Sequence, residues 1–151
     1  MRENLLVAAR NAAVEQTLGL VGLAWAADLM PGQLSSGQRK LVGVARVLAA
    51  RPRLLCLDEP AAGPDTRESA ELGQCLRALA DQGQSMLLIE LDMGLVLSIC
   101  DRVVVLEFGR VIANDAPQAV RHDPRVIAAY LGTGGNLTPA AETRTAEDGD
   151  E

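Results

Sequence analysis

Apolar residues change period repeatedly along the chain, and each change predicts a new element. Asn4 to Ala27 is rich in Ala and Leu and repeats apolar residues at helical spacing, which predicts one or two short helices ended by Pro31 and Gly32. A second helical pattern runs from Arg39 to Ala50 with Leu41, Val44, Ala45 and Leu48 on one face, and Arg51, Pro52 and Arg53 stop it. Leu54 to Leu57 is a short continuous apolar run, the pattern of a strand covered on both faces. Thr66 to Gln82 then reads as a helix whose stripe is Leu72, Cys75, Leu76 and Leu79, with Gly83 at its end. Met86 to Ile89 predicts a second buried strand, Met93 to Cys100 a short helix, and Arg102 to Leu106 a third strand. Phe108, Gly109 and Arg110 predict a hairpin loop leading into Val111 to Ala113. Pro117 to Arg121 and Pro124 to Leu131 read as two terminal helices, each opened by a proline. Strands alternating with helices predict an α/β fold with a largely parallel sheet.

Composition narrows the function classes. A chain of 151 residues suits one domain, and its 48% hydrophobic content contains no run long enough to cross a bilayer, the longest being Leu18 to Ala27. Glu3 and Arg10 interrupt the only candidate leader, so a cytoplasmic protein is expected. Cys56, Cys75 and Cys100 are far apart and lie inside apolar patterns, which predicts buried, unpaired thiols. His122, the single histidine, has no partner at ligand spacing and is expected on the surface. The net charge of −6 comes mostly from the end of the chain, where Glu142, Glu147, Asp148, Asp150 and Glu151 face one Arg144. Residues 133–151 have no apolar periodicity and are expected to form a disordered acidic tail. With no basic stripe and few aromatic residues, no nucleic-acid partner is expected.

Two short stretches carry candidate chemistry. The strand ending in Asp58 and Glu59 would set two carboxylates at the carboxyl edge of a parallel sheet, where open α/β sheets bind ligands. In phosphoryl transfer one such acid holds Mg²⁺ and another orients the attacking water; two solvated acids at a strand end are the plain alternative. Upstream, LSSGQ stands directly before a helix, so that Ser35, Ser36 and Gly37 can offer a hydroxyl, backbone N–H groups and the positive end of a helix dipole to an anion. The same residues also suit a helix cap and nothing more.

The order LSSGQRK, LLCLDEP, AAGPD is similar to that of the ATP-binding cassette (ABC) ATPases. DEPAAG, LLIELDMGLV, DRVVVLEFGRVIA and DPRVIAAYLG most resemble the ATPase subunits of branched-chain amino acid importers, over almost everything from Arg2 to Gly132. The resemblance implies a P-loop NTPase-like fold, incomplete here: a helical and signature region over about residues 1–50, a sheet core over 51–115 and terminal helices over 116–132. It implies that Leu34, Ser35, Ser36, Gly37 and Gln38 form the signature that contacts ATP held by an opposite subunit. Asp58 would hold Mg²⁺ through water, Glu59 would be the catalytic carboxylate, and Asp65 would communicate between the two sites of a dimer. ATP and Mg²⁺ are thus the implied cofactors. A second ATPase subunit, membrane permeases and, indirectly, a substrate-binding protein are the implied partners, with the chain peripheral at the inner face of the membrane.

Departures from the family pattern qualify this reading. The family's GxxxxGK[ST] phosphate loop and glutamine loop do not occur among the 151 residues, which makes the carboxyl-terminal part of a cassette the expected identity and inactivity of the chain alone the expected behaviour. The family's phosphate-loop strand lies inside the sheet, so an exposed apolar strand edge is expected as well. Leu91 stands where the family has a histidine that reaches the terminal phosphate; leucine neither donates a hydrogen bond nor carries charge. Pro64 stands where leucine is usual. The alternative function is a catalytically inactive remnant or regulatory partner that lends its signature to another ATPase, and the alternative cargo is lipopolysaccharide.

Overall fold

The computed structural model describes residues 12–63 and 66–132. The start of the expected first helix, the positions Pro64 and Asp65, and the expected acidic tail lie outside the described residues. The fold divides into two compact units, the first ending at Leu95 and the second beginning at Val96.

In the first unit, helix α1 (Ala12–Leu20) buries Val14, Thr17, Leu18 and, just past its end, Val21, which is the spacing of one helical face. Gly22 ends it with φ 72°, a left-handed conformation in which the Leu23 N–H reaches back to the Leu18 carbonyl at 2.8 Å. Helix α2 (Ser36–Leu48) begins earlier than its apolar stripe suggests, because Ser35 caps it. Its buried residues are Gly37, Val42, Val44, Ala45 and Leu48; Leu41, expected on this face, is only half-buried. α2 packs against α1 on one side and on the other against α3 (Thr66–Asp81), whose stripe is Leu72, Gly73, Leu76 and Leu79.

Helix α3 is also the crossover between strands β1 (Leu54–Asp58) and β2 (Ser85–Ile89), which pair in parallel with Leu54 opposite Ser85 and Asp58 opposite Ile89. Both strands were expected to be covered on both faces, and they are covered on one. Leu55 is fully buried and Leu57, Met86 and Leu88 are half-buried, whereas Leu54, Cys56, Leu87 and Ile89 on the opposite face are exposed. The buried-thiol expectation changes with it: Cys56 lies on the open face, and Cys75 and Cys100 are only half-buried, although all three are free. Partial burial pushes the Cys75 thiol pKa up.

Helix α4 (Met93–Ile99) crosses the boundary between the units. In the second unit β3 (Val103–Glu107) and β4 (Arg110–Asp115) form the antiparallel hairpin expected there, beside the parallel β1–β2 pairing of the first unit. The loop holds just Phe108 and Gly109, at φ 46° and 76°, because Arg110 already pairs with Glu107. Positive φ at both loop positions gives the turn twist that a two-residue hairpin needs. Ile112 is an extra residue between the Leu106–Val111 and Val105–Ala113 pairs, which makes a bulge. Helices α5 (Pro117–Arg121) and α6 (Pro124–Gly132) pack on β4 and bury Val120 and Val126. Asp123 accepts hydrogen bonds from the Arg125 N–H at 2.8 Å and its guanidinium at 2.6 Å, and this partner holds the Asp123 carboxyl below its ordinary pKa. His122 is exposed, and its Nδ1 donates to the Gln118 carbonyl at 2.8 Å.

Candidate functional site

The residues of LSSGQ form a reciprocal helix cap. Ser35 Oγ accepts from the Gln38 N–H at 3.2 Å while Gln38 Oε1 accepts from the Ser35 N–H at 2.9 Å. Leu34 is buried, and the Arg39 guanidinium donates to its carbonyl at 2.6 Å, so the entry to α2 is held from both sides. This cap satisfies two donors of the first turn and leaves Ser36 exposed beside it. Gly37 is buried, and its N–H donates to Glu68 Oε2 on α3 at 2.8 Å. A Cβ at position 37 would lie 2.8 Å from the Glu68 Cβ. A glycine is therefore required here by the chain's own packing.

At the end of β1, Asp58 points to the open face of the sheet and Glu59 follows it, also exposed. The Glu59 N–H still completes the strand pairing, donating to the Ile89 carbonyl at 2.8 Å. Its φ of 45° then turns the chain out of the strand, a conformation that costs a residue with a Cβ about 1–2 kcal/mol. The loop that leaves Glu59 is fastened from three elements. The Glu90 carboxylate at the end of β2 takes the Ala61 N–H at 2.6 Å, the Ser69 hydroxyl of α3 donates to the Ala61 carbonyl at 3.2 Å, and the Lys40 ammonium of α2 donates to the Ala62 carbonyl. Ser36, Gly37, Lys40, Ala61, Gly63 and Glu68 consequently line one shallow cleft between α2 and this loop.

Leu91 follows Glu90 at the same edge as Glu59 and leaves 74% of its surface exposed, so its side chain is no part of the core. Asp92 accepts the Leu95 N–H at 3.1 Å and opens α4. The structure thus gathers Asp58, Glu59 and Leu91 at the carboxyl ends of neighbouring strands, and joins α2 to the loop after Glu59 through the Lys40 side chain. Asp65 falls outside the described residues.

Four of these side chains, Lys40, Glu68, Ser69 and Glu90, escape sequence reasoning. Glu68 reaches a partner 31 residues away and Glu90 one 29 residues away, and no local pattern signals either bond. Lys40 and Glu90 lie inside the quoted motifs LSSGQRK and LLIELDMGLV, which was the only available hint. Because a charged acceptor strengthens such a bond to roughly 1.5–3 kcal/mol, Glu90→Ala is expected to speed exchange of the Ala61 amide hydrogen by about 10- to 100-fold. Glu90→Gln should retain part of the protection. Equal exchange in the three proteins, measured residue by residue, contradicts the clamp.

Among the described residues no group of three or more His, Cys, Asp or Glu side chains is assembled to hold a metal. The single exposed carboxylate of Asp58 at a strand end fits Mg²⁺, which keeps several waters and takes only one or two protein carboxylates beside the phosphates of its substrate.

Known proteins match this arrangement. Residues 1–62 match the ABC transporter family, and residues 110–136 match the branched-chain amino acid ATP-binding cassette transporter family. The high-affinity branched-chain amino acid transport ATP-binding protein BraF of Pseudomonas aeruginosa is 42% identical over 113 residues, 74% of this chain and 44% of BraF. The methionine import ATP-binding protein MetN 1 of Rhodococcus jostii is 41% identical over 142 residues, 93% of this chain and 40% of MetN 1. An ATP-binding cassette of an ABC transporter, solved in its ADP conformation, superposes with a TM-score of 0.73 and 29% identity, covering 81% of this chain and 50% of that one. The chain belongs to the ABC transporter ATPases. Within them it is similar to the ATP-binding subunits of branched-chain amino acid importers. It spans less than half the length of the relatives it matches.

Proposed function

We propose that the chain is the signature- and carboxylate-bearing part of an ATPase subunit that drives import of branched-chain amino acids. The observation that carries the cargo is the joint match of residues 110–136 to the branched-chain family and of 113 residues to BraF at 42% identity. ATP hydrolysis then takes place between two subunits. Leu34 to Gln38 offer the capped, amide-rich start of α2 to the nucleotide of the opposite subunit, while Asp58 and Glu59 act on nucleotide held by their own. Asp58 would hold Mg²⁺, which when bound neutralises charge on the transferring phosphoryl group. Glu59 orients and deprotonates the attacking water. Its exit from the strand at φ 45° and the clamp on Ala61 and Ala62 fix the backbone from which its side chain extends. Asp65, six residues further along the sequence, relays the state of one site to the other.

No helix among the described residues is long and apolar enough to cross a membrane. As the ATPase of an importer similar to that of BraF, the subunit works at the inner face of the membrane, bound to permease subunits that carry the substrate path, with an external binding protein delivering the amino acid. The test is uptake in Pseudomonas cells lacking BraF, using a chimera that joins the part of BraF unmatched by this chain to the chain carrying Leu91→His. Uptake of leucine and valine is expected to return. Binding of the chimera to the permeases without return of uptake, or rescue confined to methionine uptake in cells lacking a methionine importer ATPase, overturns the assignment of cargo.

A further inference from the structure

An N–H group has one hydrogen to give, and at the start of α2 those of Ser35, Gly37 and Gln38 are already engaged within the chain. The Ser35 and Gln38 bonds close the reciprocal cap, so that breaking them unwinds the turn. The Gly37 bond differs in kind. Its acceptor, Glu68 Oε2 at 2.8 Å, reaches across 31 residues from the first turn of α3, and a change of side-chain rotamer alone can withdraw it. The carboxylate stands at the amino ends of two helices, α2 and α3, whose dipoles both favour a negative charge there. Gly37 is buried, and a Cβ at its position would lie within 3.1 Å of the Glu68 Cβ, Cγ and Cδ, so the glutamate side chain lies directly over the glycine.

We infer that Glu68 is a latch on the signature: in the resting subunit its carboxylate holds the Gly37 amide, and it must swing away before a phosphate borne by the opposite subunit can take that amide. The inference rests on the reading of Leu34 to Gln38 as the element that meets the opposite nucleotide. Both contenders are anions that seek one donor. A carboxylate oxygen and a phosphate oxygen accept the same short, charge-assisted hydrogen bond, and they repel each other when brought to a single N–H. The exchange is therefore one for one, and the chain's own carboxylate sets its cost. A latch of this kind disfavours pairing of two subunits until nucleotide is present to replace it.

Hydrogen exchange of the full chain tests the contact. Glu68→Gln keeps the shape and leaves a neutral acceptor, Glu68→Asp keeps the charge but falls short by one methylene, and both retain the Cβ that lies on Gly37. Exchange of the Gly37 amide hydrogen is expected to quicken about tenfold in each, with the later turns of α2 unchanged. Sedimentation of the cassette completed with the unmatched part of BraF, with magnesium and a non-hydrolysable ATP analogue, tests the consequence. Self-association is expected to tighten about tenfold in Glu68→Gln and by a smaller factor in Glu68→Asp. Glu71→Gln should leave it unchanged, since that carboxylate, about one turn further along α3, pairs with Arg67. Unchanged exchange at Gly37 in both variants overturns the inference. So does tightening by Glu68→Gln with none by Glu68→Asp, which shows an effect of charge without a hydrogen bond. Nucleotide-dependent association of equal strength in all four proteins overturns the latch and leaves the reading of the signature standing, whereas its absence from all four overturns both.

Discussion

In a cassette completed with the unmatched part of BraF, Leu91→His raises ATP turnover by about 30- to 1000-fold and leaves nucleotide affinity nearly unchanged. The range follows from one hydrogen bond made chiefly in the transition state, worth roughly 2–4 kcal/mol when it stabilises developing charge. Leu91 is taken to stand where such a contact would be made. It follows Glu90, whose carboxylate is bound to the loop leaving Glu59, and its side chain stands 74% exposed at that edge. A histidine there can donate to the terminal phosphate and orient the attacking water. Leucine supplies only packing, and at this exposure very little. Steady-state rates and nucleotide affinities for the chimera with Leu91 and with Leu91→His decide the matter. Equal turnover shows that Leu91 is no catalytic defect. A gain confined to affinity shows that the position acts in ground-state binding.

The 151-residue chain without that added part is expected to bind ATP at least about a thousandfold more weakly than the chimera and to show no measurable hydrolysis. Its sequence holds no GxxxxGK[ST], so the backbone donors and lysine that cradle the phosphates are not among its residues. Three charged hydrogen bonds at roughly 1.5–3 kcal/mol each already exceed that factor. Asp58 and Glu59 are present and exposed, but an unanchored triphosphate gives them no fixed geometry on which to act. Titration calorimetry measures the affinity, and Glu59→Gln is the control for hydrolysis. Magnesium-dependent phosphate release that copurifies with the chain and disappears in Glu59→Gln would refute the expectation.

Elements built on strong local periodicity were legible in the sequence. Helix α3 is one, because Leu72, Leu76 and Leu79 repeat on a single face between clear end signals. The family, too, could be read from the order of LSSGQ, LDEP and AAGPD, since each is short and their spacing is particular. What could not be read depends on partners distant in the chain. A continuous apolar run such as Leu54 to Leu57 says that a strand wants cover on both faces, but not whether these residues provide it, and here only one face receives it. The hairpin loop was placed one residue too long because Arg110 pairs with Glu107, a choice made by strand register rather than by composition. The start of α2 was placed late because its first turn is specified by Ser35 and Gln38 through hydrogen bonds, not by apolar residues. The clamp on the loop after Glu59 uses bonds across 22 and 29 residues and has no local signature at all.

The contact between Gly37 and Glu68 has a consequence for heredity. The glycine faces the Glu68 carboxylate of its own chain at 2.8 Å, and an added Cβ would meet the Glu68 Cβ at 2.8 Å. A mutation to alanine at position 37 therefore injures the subunit that carries it before any partner is met, by driving α3 from α2. Shortening residue 68 to alanine does not relieve that crowding, because the Cβ it keeps is the nearest atom in the way. A larger residue at 37 thus fits this packing only together with a change at 68. The two positions are therefore expected to vary together.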